Sequence, residues 1–264
     1  MSRISVCFII VAVLLAVVGV PLLVAVARKS VLQQHTEKVV VVGIDGLGTK
    51  NIASTDTPNF DLLKLNGKYT RATIDPNSYS SGPNWAGMLT GHTSETSGVS
   101  DNACVKPKHE TLFDIVPTAV FSQWETIKCY SDNIARYTKD TSYYEQNLNT
   151  ASILDIMTGN ESLVFVHIDV LDYESHKNGA SSSPYKRALQ EIDKTLLPIV
   201  VDYVDNHNAT LILSADHGSD LKSTGHSWDT VPLIFYGSGV DEVNLPVLAE
   251  SRDVYYYVRF LLGQ

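Results

Sequence analysis

Basic residues and cysteines are scarce in this sequence. Only 20 lysines and arginines stand against 29 aspartates and glutamates, which gives a formal net charge of -9. Proteins that bind nucleic acid usually carry a basic face, so no nucleic-acid-binding surface is expected. There are three cysteines in 264 residues. Cys7 lies in an apolar run, so Cys104 and Cys129 are the only possible internal pair, and a single disulfide is possible but not required.

Long apolar runs are absent except near the N-terminus. Ile4–Ala27 carries no charged side chain, and at about 1.5 Å per helical residue it can cross a hydrocarbon core of about 30 Å. We therefore expect one N-terminal transmembrane helix, with residues 1–29 as a membrane anchor, 30–38 as a short stalk and 39–264 as one globular domain. The alternative is a cleaved signal peptide, because residues 25–27 resemble a cleavage site, although the run is long for such a peptide.

Two acceptor patterns for N-glycosylation bear on localisation. They begin at Asn160 and Asn208, and a chain of this length shows about one such pattern by chance. Together with the apolar run they favour a single-pass membrane protein whose domain is extracellular or lumenal. The alternative is secretion after signal cleavage.

Apolar runs rich in β-branched residues alternate with helical patterns along the rest of the chain. After "VVVVGIDG", which begins at Val39, four further strands are expected near residues 118–123, 163–169, 210–216 and 231–237. The clearest helical pattern follows Ser183-Pro184, where apolar residues recur at spacings of three and four. Alternation of this kind predicts an α/β fold with a mainly parallel sheet covered on both faces.

Polar side chains with metal-binding capacity follow several of these strands. Taken singly, each has an ordinary explanation as a turn, cap or loop residue. Together, carboxylate oxygens and imidazole nitrogens in this mixture suit zinc, with manganese as a substitute. His92, His109, His167 and His207 lack a carboxylate at useful spacing, apart from Asp169 beside His167, and are expected to be structural. The candidate ligands are Asp45, Asp172, His176, Asp216, His217 and His226.

The order of these motifs resembles the alkaline phosphatase superfamily, and within it the type I phosphodiesterase and nucleotide pyrophosphatase branch. The resemblance runs from about Val39 to Gly239 and rests on "GIDG", "SGPN" with a later Thr-Gly, "DxxxH", "DHG" and a lone histidine. It implies an alkaline-phosphatase-like three-layer sandwich. The chain departs from the pattern at Ser175, where the family usually has glycine, and in having a serine where this branch usually has threonine.

The resemblance also implies two divalent ions, zinc or alternatively manganese, around a nucleophilic hydroxyl. Ser81 rather than Ser80 fits the spacing of the nucleophile, and Asn84 matches an asparagine that donates a hydrogen bond to a phosphoryl oxygen. A helix starting near Pro83 is expected to aim its N-terminal amides at the phosphate. One ion is assigned to Asp172, His176 and His226, and the other to Asp45, Ser81, Asp216 and His217.

These assignments imply a phosphodiesterase or nucleotide pyrophosphatase acting through a phosphoseryl intermediate. The expected partners are a small phosphoester, a nucleotide or a lipid headgroup, together with a membrane contacted through residues 4–27. Alternatives are a phosphomonoesterase, a phosphoethanolamine-type transferase with the same site, and a catalytically silent membrane-tethered binding domain. The complete ligand set argues against the silent domain.

Overall fold

The computed structural model describes residues 35–140 and 148–264, and this part of the chain has an α/β fold. Eight of its strands form one sheet, and two short strands pair with each other. The strands are β1 Lys38–Ile44, β2 Lys68–Thr73, β3 Thr118–Ser122, β4 Arg136–Lys139, β5 Leu163–Ile168, β6 Ala209–Ser214, β7 Gly218–Ser219, β8 His226–Ser227, β9 Val231–Gly237 and β10 Leu248–Glu250.

The strand order of the large sheet is β10-β2-β9-β6-β1-β5-β3-β4. Among these strands only β9 runs antiparallel to its neighbours, β2 and β6. β1 lies at the centre between β5 and β6, and all seven of its residues except Lys38 are buried. A strand covered on both faces has to be apolar throughout, which is why "VVVVGI" shows no polar alternation.

Helices cover this sheet to give a three-layer α/β fold. The sequence prediction of that fold class, and of a mainly parallel sheet, is therefore confirmed. The helices are α1 Thr49–Ala53, α2 Pro58–Asn66, α3 Ser81–Thr90, α4 Ser94–Ser97, α5 Leu112–Ile115, α6 Thr150–Met157, α7 Val170–Asn178, α8 Ser183–Glu191, α9 Leu197–Asp205 and α10 Val254–Leu261.

The long helical pattern after Ser183 forms α8 and α9, joined by a π-helical turn at Ile192–Leu196. Pro198 lies at the start of α9 and lacks the N–H that a continuous α-helix would need, so a wider turn before it absorbs the mismatch. The apolar stripe is confirmed, because its residues are fully buried: Tyr185, Leu189, Ile192, Leu196 and Val200.

The five strands expected from apolar runs are confirmed within one or two residues, whereas β2, β4 and β10 of the large sheet and the two-residue strands β7 and β8 were missed. β2 reads "KYTRAT" and alternates exposed and buried residues. β4 lies at one edge of the sheet and β10 at the other. Short strands of mixed polarity lack the apolar run on which the prediction relied.

Part of the expected stalk, residues 30–38, lies within the described residues, whereas residues 30–34 lie outside them. Thr36 donates its backbone N–H to Leu261 and Glu37 donates to Asn208, so these two residues already belong to the folded part. In residues 35–140 and 148–264 no helix is long and apolar enough to cross a membrane. The predicted span Ile4–Ala27 lies outside the described residues.

Cys104 and Cys129 form a disulfide with a Cα–Cα distance of 5.4 Å. The sequence left this pairing open. The bond joins the loop after α4 to a short 3-10 helix at Glu125–Tyr130.

Candidate metal centre

The carboxyl ends of three neighbouring strands bring the candidate ligands together. β1 pairs in parallel with β5, where Ile44 lies opposite Ile168, and with β6, where Gly43 lies opposite Ser214. Asp45 directly follows β1, and Asp216 follows β6 after one intervening residue. Because the strands end in register, these side chains meet at one edge of the sheet, where ligands of open α/β folds usually bind.

The first group contains Asp45, Asp216 and His217, whose ligand atoms lie within 4.8 Å of one another. His217 Nε2 is 3.3 Å from Asp45 Oδ1 and 3.3 Å from Asp216 Oδ2. All three side chains are buried, with at most 1% of their surface exposed. Two carboxylates and an imidazole in so dry a setting require a compensating positive charge.

The second group contains Asp172, His176 and His226. His176 follows Asp172 by one turn of α7, and its Nε2 lies 3.3 Å from Asp172 Oδ2. His226 is carried by β8, and its Nε2 lies 3.4 Å from Asp172 Oδ1. The Nε2 atoms of the two histidines are 2.9 Å apart, and the rings of His217 and His226 stack with centroids 3.7 Å apart. The two groups therefore adjoin.

Three carboxylate oxygens in this cluster are buried without a hydrogen bond from any described group: Asp45 Oδ1, Asp172 Oδ1 and Asp216 Oδ2. Buried polar atoms normally have a partner. Carboxylate oxygens that face imidazole nitrogens without accepting a hydrogen bond are suitably placed to bind a cation. The donor set of carboxylates and imidazoles fits a divalent metal ion. These residues thus satisfy the requirements of a metal centre.

The titration behaviour of the first group points the same way. Burial would raise the pKa of Asp45, but the adjacent imidazoles of His167 and His217 outweigh burial and hold that pKa below its usual value. Burial, reinforced by the charge of Asp45, raises the pKa of Asp216 well above normal. Burial lowers the pKa of His217, but the neighbouring carboxylates dominate and raise it to about 10. Protons supply the positive charge that a bound cation would otherwise provide.

Ser81 is the first residue of α3, and its Oγ lies 3.1 Å from His217 Nε2. The side chain is buried, whereas the preceding Ser80 is the N-cap of the helix. Of the two serines, Ser81 is thus the one that reaches the cluster. The hydroxyl therefore lies where a nucleophile could contact an ion held by the first group.

Asn84 already has hydrogen-bond partners within the protein. Its two amide hydrogens go to the carbonyl oxygens of Ser78 and Ser80, each at 2.9 Å, and its Oδ1 accepts the N–H of Asp75 at 2.8 Å. Both donors are therefore occupied in closing the turn before α3. Donation to a phosphoryl oxygen stays a prediction, and it would require one of these bonds to be given up.

The first amides of α3 also differ from expectation. Gly82 N–H donates to Asn102 Oδ1, Pro83 has no N–H, and Asn84 N–H donates to the Ser80 carbonyl. Helix N-termini bind anions through free N–H groups. Here the N–H groups of Gly82 and Asn84 are engaged within the protein, so the expectation that helix amides meet the phosphate stays a prediction.

His167 and Trp85 were missed as part of the centre. His167 Nε2 lies 3.3 Å from Asp45 Oδ2, and the Trp85 indole N–H donates to the same oxygen at 3.1 Å. His167 pairs across the sheet with Gly43, two residues before Asp45 and on the same face. That register was the only signal that could have linked them. Asp45, His167 and Asp169 also form a third group with ligand atoms within 4.8 Å.

Comparisons with known proteins agree with this site. A family model described as the Metalloenzyme superfamily matches residues 37–253. A 2,3-bisphosphoglycerate-independent phosphoglycerate mutase of Saccharolobus islandicus is 32% identical over 97 residues, which cover 37% of this chain and 22% of the mutase. A phosphopentomutase of Anaeromyxobacter dehalogenans is 38% identical over 125 residues, covering 43% and 30% respectively. The chain thus aligns with less than a third of the length of either mutase.

Solved structures share the fold at low sequence identity. The alkaline phosphatase of the Antarctic bacterium TAB5 superposes with a TM-score of 0.62 at 13% identity, covering 88% of this chain and 99% of the phosphatase. Murine ectonucleotide pyrophosphatase/phosphodiesterase 5, solved in complex with AMP, gives 0.63 at 13% identity, covering 86% and 95%. The sulfatase BT1596 gives 0.67 at 11% identity, covering 86% and 71%. The resemblance to the alkaline phosphatase superfamily is confirmed.

Proposed function

This chain belongs to the Metalloenzyme superfamily, and we propose that it is a phosphoester hydrolase of the phosphodiesterase or nucleotide pyrophosphatase type. A metal-dependent enzyme that handles phosphoryl groups is the broader assignment that the family supports. The observation that carries the finer proposal is the position of Ser81, whose Oγ lies 3.1 Å from His217 Nε2 at the edge of two adjoining ligand groups.

Two divalent ions would be held by the two groups, one by Asp172, His176 and His226 and the other by Asp45, Asp216 and His217. When bound, they would supply Lewis-acid chemistry, favouring ionisation of a hydroxyl and neutralising charge on phosphoryl oxygens. The aspartate and histidine donors favour zinc, with manganese as the alternative.

The covalent step falls to Ser81. Its Oγ forms a bond to phosphorus while the bond from phosphorus to the leaving alcohol breaks, and the alcohol departs with the electron pair and takes up a proton. Water then attacks the phosphoseryl ester, which returns Ser81 and releases the second product. Burial keeps bulk water away from the hydroxyl before substrate enters.

An open cleft beside β8 supports a substrate that extends beyond a single phosphate. The cleft is about 770 Å³, and its lining includes three basic side chains, two acidic ones and an indole: Lys50, Arg71, Lys222, Asp220, Asp229 and Trp228. Lys50 pairs with Asp229 at 3.6 Å, which leaves Arg71 and Lys222 as the cations for a substrate. The exposed ring of Trp228 packs edge-on against Tyr79, with centroids 5.0 Å apart. Cations and aromatic faces suit an anionic or planar group attached to the scissile phosphate. A diester or nucleotide fills such a cleft better than a phosphomonoester.

A phosphomutase is the second candidate, since both curated relatives described above are mutases. In that case the phosphoryl group on Ser81 would return to another hydroxyl of the substrate instead of passing to water. Product analysis separates the two, because a hydrolase releases free alcohol and phosphate or phosphomonoester.

The test uses metal-loaded protein with p-nitrophenyl phosphate mono- and diesters. Ser81→Ala should lose at least about 10³-fold in kcat/KM, because no other described hydroxyl lies against His217. Ser80→Ala is the matched control and should stay within about threefold, since its side chain makes no capping bond. Full turnover by Ser81→Ala would refute the assignment, and inactivity of the native protein on every ester would favour the silent binding domain.

For localisation we propose a domain on the extracellular or lumenal side, tethered through residues 4–27. The Cys104–Cys129 disulfide supports an oxidising compartment. Asn160 is exposed, as a glycosylated residue must be. A mass shift on glycosidase treatment that disappears in Asn160→Gln is expected, and labelling of the domain by cytosolic reagents alone would contradict the proposal.

A further inference from the structure

Gly82, the residue that follows the candidate nucleophile, is held through both of its backbone polar groups. Gly82 donates its N–H to Asn102 Oδ1 at 2.8 Å, and its carbonyl oxygen accepts the Tyr130 hydroxyl at 3.0 Å. The Gly82 N–H belongs to the same peptide plane as the Ser81 carbonyl. These two bonds therefore fix the backbone from which the Ser81 side chain projects.

The packing around Gly82 leaves no room for a side chain at this position. A Cβ at this position would collide with the backbone carbonyl oxygen of Asp101. Only glycine allows the loop that carries Asn102 to approach α3 so closely. The aim of Ser81 thus depends on where that loop lies.

The loop and Tyr130 come from different parts of the chain, and one covalent bond joins them. Cys104 lies two residues after Asn102, and Cys129 lies immediately before Tyr130. The other described side-chain tie between these segments is the Lys106–Asp132 ion pair, which is half or more exposed on both sides. Exposed pairs of this kind contribute little, so the disulfide is the strong tie.

The Tyr130 hydroxyl is buried, whereas the adjacent Cys104–Cys129 disulfide is accessible from solvent. The ring of Tyr130 is fully buried, and burial raises the pKa of its hydroxyl above the ordinary value, so the hydroxyl is protonated at neutral pH. Cys104 lies in an exposed stretch and Cys129 is partly exposed. A dithiol reductant could reach the bridge without unfolding the core.

We propose that the Cys104–Cys129 disulfide is a redox-sensitive positioning device, which holds Asn102 and Tyr130 against Gly82 and thereby sets the aim of Ser81. The inference rests on the proposed function of Ser81. A dithiol would pass two electrons and two protons to the bridge, giving two thiols here and a disulfide in the reductant. The loop that carries Asn102 then separates from Tyr130. The aspartate and histidine ligands lie on other elements and keep their places.

The experiment compares the oxidised full chain with Cys104→Ser/Cys129→Ser and with Tyr130→Phe, all metal-loaded. A bridge-free protein should lose about 10- to 100-fold in kcat, since a displacement of about 1 Å in a reacting group has effects of that size. KM and the metal content per chain should stay within about twofold. Tyr130→Phe should show a similar loss in kcat, and reduction of that variant should add little, because both changes release the backbone of the same residue, Gly82.

Lys106→Ala is the matched control, since it removes the other tie between the same segments and should leave kcat unchanged. An unchanged kcat in Tyr130→Phe would overturn the inference even if the bridge-free protein does not fold. So would a fall in kcat that a parallel loss of bound metal explains. Failure of the proposed function looks different: oxidised wild-type protein would then show no Ser81-dependent hydrolysis at all.

Discussion

Replacing Trp85 by phenylalanine tests whether residues behind the ligands set metal affinity. Asp45 Oδ2 has two described donors, the Trp85 indole at 3.1 Å and His167 Nε2 at 3.3 Å, whereas Asp45 Oδ1 has none. Trp85→Phe keeps an aromatic ring in the core but removes one of these two donors. The carboxylate is then held on one side only and can rotate away from the metal.

The size of the effect follows from the nature of the bond. A hydrogen bond to a charged group contributes about 1.5–3 kcal/mol. The free energy of unfolding of metal-free Trp85→Phe, measured in denaturant, should therefore be lower by roughly that amount. Loss of a residue that orients a metal ligand typically weakens metal affinity by about 10- to 100-fold. At saturating metal, kcat should largely recover, because every ligand and Ser81 are still present.

The assay is competitive metal titration of stripped protein against a chromophoric chelator. The control is Trp124→Phe, which makes the same chemical change in a ring 6.2 Å from that of His167. If Trp85→Phe and Trp124→Phe both bind metal within about threefold of the native protein, the indole orients nothing and the reasoning is refuted.

Three further changes test the surroundings. Asp193→Ala removes the buried carboxylate that accepts two N–H groups at the start of α2, so the free energy of unfolding measured in urea should fall by about 2–4 kcal/mol; a fall below about 1 kcal/mol would contradict this. Trp228→Ala should raise KM for a diester by about 2- to 12-fold, the size of one aromatic contact. A change confined to kcat would contradict the proposal that the substrate binds in this cleft. For Asp114, burial opposes ionisation, but hydrogen bonds from Ser131 and Thr111 prevail and keep its pKa below normal. Its stabilisation is therefore present above the unfolded pKa of about 3.9 and is lost as pH falls through the folded pKa. The stability gap between native protein and Asp114→Ala should shrink in acid, and a gap that widens in acid would reverse the sign.

The parts of the site that sequence reasoning reached are those defined by local spacing. His176 follows Asp172 by four residues, which places both on one face of α7, and their atoms do meet at 3.3 Å. Asp45 follows a buried run, and such runs reveal parallel strands whose carboxyl ends converge. Neither inference requires knowledge of which strand lies beside which.

What the sequence could not supply is pairing between distant segments. His167 joins the centre only because β5 lies beside β1 with His167 opposite Gly43. Asn102 and Tyr130 contact Gly82 across 20 and 48 residues of chain. Loop contacts of this kind carry no periodic signal, since they depend on side chains that meet only after the sheet has formed.

Asn84 shows that spacing can single out a residue without revealing its partners within the protein. Its position three residues after Ser81 places it one helical turn on, where an amide could face a substrate. The same position lets the amide donate to the backbone carbonyl oxygens of the preceding turn. Buried carbonyl groups require hydrogen-bond donors, so they compete with a substrate for this amide. Asn84 thus holds the chain before Ser81, while Asn102 and Tyr130 hold the chain after it. If the nucleophile is fixed from both sides by groups that are already engaged within the protein, losing any of them should lower kcat before it raises KM.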